Sequence, residues 1–152
     1  MHISATAVAA LFVRLFLVND PSQALAAPCE TVNTFADFVR IVNLGMTQQR
    51  DEICFRPFHL AKPIGSVLVL NRPISLQCEK LQSNDKCTLE GGGNHITIAG
   101  GNAKVTIDGF SFTGATQCAV YVRQTSLETH TLSGCEFVKY VLHVLSSKFQ
   151  PA

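Results

Sequence analysis

Two short stretches of the chain follow one pattern, Val105–Phe112 (VTIDGFSF) and His130–Phe137 (HTLSGCEF). The second lies about 25 residues after the first, and self-similarity at a period of roughly 20–50 residues is typical of repeat architectures. The corresponding residues are Ile107 and Leu132, Gly109 and Gly134, and Phe112 and Phe137. In each unit apolar and polar residues alternate, a glycine interrupts the alternation, and there is no helical periodicity. We therefore predict a coiled parallel β-structure in which each repeat forms one turn of a solenoid.

Three strand positions are predicted in each turn. The first holds Ile74–Leu76, Val105–Ile107 and His130–Leu132; the second holds Cys87–Leu89, Phe110–Phe112 and Cys135–Phe137; the third holds Ile96–Ile98, Val120–Val122 and Leu142–Val144. Because parallel neighbours lie about 4.7–4.9 Å apart, equivalent residues of successive turns should form ladders. Two inward apolar ladders are predicted: Leu89, Phe112 and Phe137, and Leu76, Ile107 and Leu132.

A short helix is predicted ahead of the repeats. Thr34 can act as its N-cap with Asp37 at the third helical position, and Gly45 is predicted to end it after Leu44. Its apolar residues share one stripe: Phe35, Phe38, Val39 and Val42. We expect this helix to cover the open N-terminal edge of the solenoid, which would otherwise expose unpaired strand groups.

The composition is that of one folded domain. The chain has 152 residues, of which 47% are hydrophobic and only 15% are charged, and the formal net charge is +1. A chain with so little net charge is not expected to bind nucleic acid or an anionic membrane.

The first 27 residues are predicted to be a signal peptide. An apolar run from Ile3 to Val18 is followed by Ala24–Ala27, whose small residues suit cleavage after Ala26 or Ala27. The run carries Arg14 and is shorter than the roughly 20 apolar residues of a spanning helix. An uncleaved anchor is the competing interpretation. We expect a secreted, extracellular protein that has no membrane contact after cleavage.

All six cysteines follow that segment, and an even number in an exported chain predicts disulfides. Cys78 and Cys87 flank a polar stretch that resembles a loop excursion, so this pair is favoured; Cys29 with Cys54 is a second candidate pair. The other two, Cys118 and Cys135, are equally explained as buried thiols. A zinc site is not predicted, since the chain lacks a CxxC pair and its histidines are scattered.

These features together resemble the right-handed parallel β-helix superfamily, the pectin-lyase-like fold. The resemblance covers roughly residues 30–146 and rests on the N-terminal helix and on four segments: Ile53–Phe55, Ile74–Cys78, Cys87–Gly93 and Val105–Gly114. It implies an all-β, right-handed, single-stranded parallel β-helix of about three turns over residues 28–152, with a short N-terminal capping helix. No sequence that would cover the last coil follows the repeats. We favour the interpretation that the chain is truncated at its C-terminus over the alternative that a partner protects the edge of the last coil.

The resemblance implies where catalytic residues would lie. Lyases of this superfamily hold calcium with acidic side chains on one outward strand face and use an Arg or Lys as base. Here the outward residues of the first strand position are Ser75, Gln77, Thr106, Asp108, Thr131 and Ser133, with one carboxylate among them. Asp108 is interpreted as a turn cap, and the superfamily's hydrolase signatures are absent. We predict no catalytic residue, no metal site and no cofactor.

The third strand position offers a candidate binding face. Thr97, Tyr121 and His143 should stack outward, with Arg123 just after Tyr121. An aromatic ring beside a cation and an imidazole suits sugar rings or an acidic glycan. The competing interpretation is a solvated ladder in which Tyr121 packs on its neighbours.

The functional hypothesis is a secreted β-helix that binds extracellular or cell-wall polysaccharide without catalysis by this span. The enzyme alternative is the N-terminal part of a polysaccharide lyase or epimerase whose active-site turns lie elsewhere. A further alternative is a structural or adhesive surface repeat.

Overall fold

The computed structural model describes residues 28–100, 103–123, 129–138 and 149–151. The predicted signal peptide, residues 1–27, lies outside them. One helix precedes the strands, α1 (Phe35–Thr47). The strands are β1 (Glu52–Phe55), β2 (Phe58–Ala61), β3 (Leu68–Leu70), β4 (Ile74–Cys78), β5 (Cys87–Glu90), β6 (Ile96–Ile98), β7 (Val105–Asp108), β8 (Phe110–Thr113), β9 (Val120–Val122), β10 (His130–Ser133), β11 (Glu136–Val138) and β12 (Phe149–Pro151).

The strands form three parallel sheets. Sheet A has the order β1-β4-β7-β10-β12, sheet B the order β2-β5-β8-β11, and sheet C the order β3-β6-β9. Every neighbouring pair is parallel. Because the chain visits sheets A, B and C in turn before returning to A, each circuit is one coil. The predicted parallel β-solenoid with a short N-terminal helix is confirmed.

Both predicted apolar ladders are present in the predicted register. Leu76 pairs with Ile107 and Ile107 with Leu132 in sheet A, while the rung of sheet B joins Leu89, Phe112 and Phe137. The rings of Phe112 and Phe137 are stacked with centroids 5.3 Å apart. Burying a side chain of this kind stabilises the fold by about 1.5–3 kcal/mol, so stacking the coils stabilises each of them.

One complete coil precedes those that the repeat pattern predicts. The predicted strand positions begin at Ile74, but β1 and β3 belong to an earlier coil with β2 between them. In this coil Ile53 stacks on Leu76 and Leu60 stacks on Leu89. The predicted strand Leu142–Val144 lies outside the described residues.

Helix α1 begins as predicted but ends later. The Thr34 hydroxyl oxygen accepts a hydrogen bond from the backbone N–H of Asp37 at 3.0 Å, which satisfies one of the free donors of the first turn. The predicted end at Gly45 is wrong, since α1 continues to Thr47. Gly45 is needed for packing instead: a Cβ atom there would lie 2.5 Å from Cδ1 of the buried Ile53.

The N-terminal end of the solenoid is covered by α1 and the segment before it. Phe38 is fully buried, and its ring centroid lies 5.2 Å from that of Phe55 and 5.6 Å from that of Phe58. The backbone N–H of Glu30 donates to the carbonyl of Cys54 at 2.8 Å, so part of the free edge of β1 is also paired. The helix and this backbone pairing both protect the N-terminal edge of the solenoid, which could otherwise pair with a strand of another molecule.

Two disulfides fix the first coils, and they are the two pairings that the sequence favoured. Cys29 is bonded to Cys54, and Cys78 is bonded to Cys87 across the polar loop of residues 79–86. Cys118 and Cys135 are thiols, the former buried, in agreement with the second interpretation of these residues. Within the described ranges, no helix has the length and apolar character needed to cross a membrane.

Candidate functional site

The outer face of sheet C carries Thr97 and Tyr121, two of the residues that the sequence singled out. In each strand the two flanking residues are buried, so the middle one points outward. Thr97 pairs with Val69 on one side and with Tyr121 on the other, giving one continuous row. Val69 is exposed, and Thr97 and Tyr121 are partly exposed. A tyrosine ring next to a β-branched row forms a platform with both apolar area and a polar tip.

Arg123 follows β9 on the same side as Tyr121. Its backbone N–H donates to the carbonyl of Ile98 at 2.9 Å, which continues the ladder of sheet C for one more residue. Its side chain is exposed and forms no ion pair with any residue that the structure describes. The third predicted member, His143, lies outside the described residues. We call Val69, Thr97, Tyr121 and Arg123 the sheet C face.

A cavity of about 550 Å³ lies at the corner between sheets B and C. Its walls come from the connections that precede β3, β6 and β9, so three successive coils each contribute one segment. The lining residues are Lys62, Ile64–Val67, Gly92–Asn94, Thr116 and Gln117. We call this cavity the corner pocket.

Of the described residues that line the corner pocket, Lys62 alone is charged. Only 5% of the residue is exposed, and its Nζ donates to the carbonyls of Ser66 at 2.7 Å and Pro63 at 3.3 Å. Among the described residues no carboxylate pairs with it. Because burial penalises the charged form, the pKa of Lys62 is lowered from its usual value.

The glycine run between β5 and β6 shapes the wall beside Lys62. Gly91 has a φ of 143°, and a Cβ atom there would lie 2.7 Å from the carbonyl oxygen of Lys62. Gly93 has a φ of 77°, and its N–H donates to Oγ1 of Thr116 at 2.8 Å. Glycine is required at both positions because of these backbone angles and this close approach.

His95 lies beneath the pocket wall and is fully buried. Its Nε2 donates to the carbonyl of Gly91 at 2.7 Å, which fixes the tautomer, and buried Nδ1 has no hydrogen-bond partner among the described residues. Burial lowers the pKa of His95, and the nearby charge of Lys62 lowers it further against the opposing hydrogen bond to Gly91. We interpret His95 as a neutral support for the glycine bend.

The outer face of sheet A is polar and carries the carboxylates of Glu52 in β1 and Asp108 in β7, of which that of Asp108 is engaged. Asp108 was interpreted as a turn cap; instead, its carboxylate accepts from the Ser133 hydroxyl at 2.7 Å and pairs with Lys80 at 3.1 Å. These contacts link residues of different coils. No group of three or more His, Cys, Asp or Glu side chains suited to a metal ion occurs among the described residues.

Comparison of the chain with protein-family models, with curated proteins and with solved structures gives no match. The parallel solenoid agrees with the resemblance to the β-helix superfamily, and membership of that superfamily stays a prediction.

Sequence reasoning found the sheet C face but missed the corner pocket. Tyr121 was recognisable because the alternation around it placed it outward in a repeated strand. Lys62 carried no comparable signal, because its burial depends on a connection that folds back over its own side chain. Asn94 and Thr116 carried no signal either, since nothing in the local sequence shows that segments of separate coils form one wall.

Proposed function

We propose that this protein is a secreted β-solenoid that binds extracellular polysaccharide on the sheet C face without transforming it. Two disulfides support an oxidising destination, because such bonds persist mainly outside the cytosol. We also propose that the protein is related to the pectin-lyase-like superfamily, and that its outer surface binds polysaccharide.

The observation that carries the proposal is the row formed by Thr97 and Tyr121, with Arg123 beyond it. The ladder of sheet C pairs Tyr121 with Thr97, so the backbone that carries the ring is already ordered before a ligand binds. A sugar ring has C–H groups that can pack on the phenol ring and hydroxyls that can bond to its tip and to Arg123. A regular solenoid face also suits a ligand that is itself a linear repeat.

The direct test is a glycan array probed with the protein and with Tyr121→Ala. We expect the variant to lose about tenfold or more in affinity, about 1.4 kcal/mol, because central aromatic side chains dominate many binding sites. Tyr121→Phe, which retains the ring, should keep most of the affinity. Thr88→Ala removes an outward residue of sheet B in a similar strand position and serves as the matched control.

Two results would contradict the proposal: retention of no polysaccharide by the folded protein, or undiminished retention by Tyr121→Ala. The first result would favour the structural or adhesive alternative. Formation of unsaturated uronide from pectate or alginate with added calcium would favour the lyase alternative. The engaged carboxylate of Asp108 speaks against such a reaction on the outer face of sheet A.

A further inference from the structure

We infer that the corner pocket is an oxyanion-binding subsite, and that the polysaccharide bound by this protein is therefore acidic. The inference rests on the proposed polysaccharide binding and names the class of sugar that the sheet C face would accept. The group recognised is a negatively charged oxygen, as in a uronate carboxylate or a sulfate ester.

The first argument is the uncompensated charge of Lys62. Its ammonium has three N–H donors, and the carbonyls of Pro63 and Ser66 accept only two of them. Carbonyl dipoles stabilise a cation but do not neutralise it, and a buried charge is normally paired. An anion in the adjoining cavity would supply the missing charge.

The nearest acidic side chain in sheet B is turned elsewhere. The backbone N–H of Lys62, the residue that follows β2, donates to the carbonyl of Glu90 at the end of β5 at 2.7 Å, so the two residues are neighbours. The Glu90 carboxylate, however, lies 2.6 Å from Nε2 of His59 on the outer side of the sheet. Among the described residues that line the pocket there is no Asp or Glu.

The second argument concerns the polar side chains of the wall, whose remaining hydrogen-bonding capacity is largely that of donors. Oδ1 of Asn94 accepts from the backbone N–H of Cys118 at 2.9 Å, and Oγ1 of Thr116 accepts from Gly93. Among the described residues no acceptor pairs with the Asn94 amide N–H groups or the Thr116 hydroxyl proton, so these are left to donate. Three segments thus bring a cation and several donors to one cavity, which is the pattern expected for an oxyanion.

The third argument is the position of the pocket relative to the sheet C face. Gln117 lines the pocket and Tyr121 lies four residues further along, so their Cα atoms are at most about 14 Å apart. The rim includes Ile64, which is 94% exposed. One oligosaccharide can therefore place an acidic group in the pocket and another ring on Tyr121.

The test uses the chain isotopically labelled for NMR and titrated with defined ligands. These are an oligogalacturonide, its fully methyl-esterified neutral form, a sulfated galactan oligosaccharide and inorganic sulfate. The backbone amide signals of Gly92, Gly93 and Asn94 report on the pocket, and the ring signals of Tyr121 report on the sheet C face. Comparing the carboxylated with the sulfated oligosaccharide distinguishes the two sources of the anion.

The decisive variant is Asn94→Asp. It keeps an oxygen for the N–H of Cys118 but replaces a donor by a negative charge, so the fold is retained while anions are repelled. Gln117→Glu places a charge in the same pocket without removing any hydrogen bond that the structure records. Gln82→Glu makes the same change in the exposed loop between β4 and β5 and is the matched control.

We expect one acidic oligosaccharide to bind at least about tenfold more tightly than the neutral ester. Asn94→Asp and Gln117→Glu should remove this preference while leaving neutral binding at Tyr121 intact, and Gln82→Glu should keep it. Equal binding of the acidic and neutral ligands, or a preference that survives in Asn94→Asp, would overturn the inference.

Failure of the proposed function is distinguishable from failure of the subsite. If no oligosaccharide binds but inorganic sulfate shifts the pocket signals saturably, and Asn94→Asp abolishes the shift, the oxyanion site stands and polysaccharide binding is rejected. If neither sulfate nor any oligosaccharide perturbs these signals, both are rejected. A role of Lys62 limited to holding its own loop predicts that last result.

Discussion

Gly45 lies inside α1, where glycine lowers helix stability by about 0.8–1.0 kcal/mol relative to alanine. Its presence follows from a neighbouring element, because Ile53 of β1 fills the space that a Cβ atom would need. Gly91 is dictated in the same way by the carbonyl oxygen of Lys62, whereas Gly93 is dictated by its φ of 77°. At this scale, residue identity reflects contacts between coils more than local propensity.

The variant Gly45→Ala should therefore destabilise the protein instead of stabilising it. We expect a loss of about 1–3 kcal/mol in the free energy of unfolding, as is usual when a packed core is overfilled. Urea unfolding measures this loss. In the background of Ile53→Val, which removes the Cδ1 methyl group, the same substitution should cost clearly less. A stabilising effect of Gly45→Ala in the unaltered protein would show that α1 does not pack on β1 as described.

At the scale of elements, the connections distinguish one coil from the next. Between β7 and β8 the chain turns at the single residue Gly109, whereas between β4 and β5 it makes an excursion of eight residues, 79–86. The disulfide of Cys78 with Cys87 closes this excursion at its base, so β4 and β5 keep their places in sheets A and B. The other disulfide ties the segment before α1 to β1.

Removing either disulfide should lower stability through the unfolded state. Loops of about 10 and about 26 residues correspond to about 2.7 and about 3.5 kcal/mol in the chain-entropy model. Thermal unfolding of Cys78→Ala/Cys87→Ala and of Cys29→Ala/Cys54→Ala measures these losses. Under reducing conditions the unaltered protein should be only slightly more stable to thermal unfolding than the two variants. Unchanged stability of both variants in oxidising buffer would contradict the assigned pairing.

The strands that could be predicted from the sequence are those in the regular part of the repeat. Strands β7, β8 and β10 were predictable because apolar alternation coincides with a glycine in each copy. Strand β2 was missed because its segment lies between prolines and lacks that glycine, so the first coil has no visible repeat. The sheet C face followed from alternation alone. The corner pocket did not, because it is assembled from connections whose proximity only the register of the coils determines.

At the scale of the whole molecule, the solenoid converts residues distant in sequence into neighbours. Thr97 and Tyr121 adjoin because β6 and β9 occupy the same sheet in successive coils, and Gly93 meets Thr116 for the same reason. Both functional proposals depend on this stacking. A β-sandwich or a meander of hairpins built from the same strands would separate these groups and remove both sites.

The measurement that tests this arrangement most directly is the pattern of nuclear Overhauser effects in the labelled protein. Stacked parallel coils predict contacts between the side chains of Thr97 and Tyr121 and between the rings of Phe112 and Phe137, whose centroids lie 5.3 Å apart. Absence of these contacts, together with the close Hα–Hα contacts of antiparallel pairing between strands consecutive in sequence, would contradict the account.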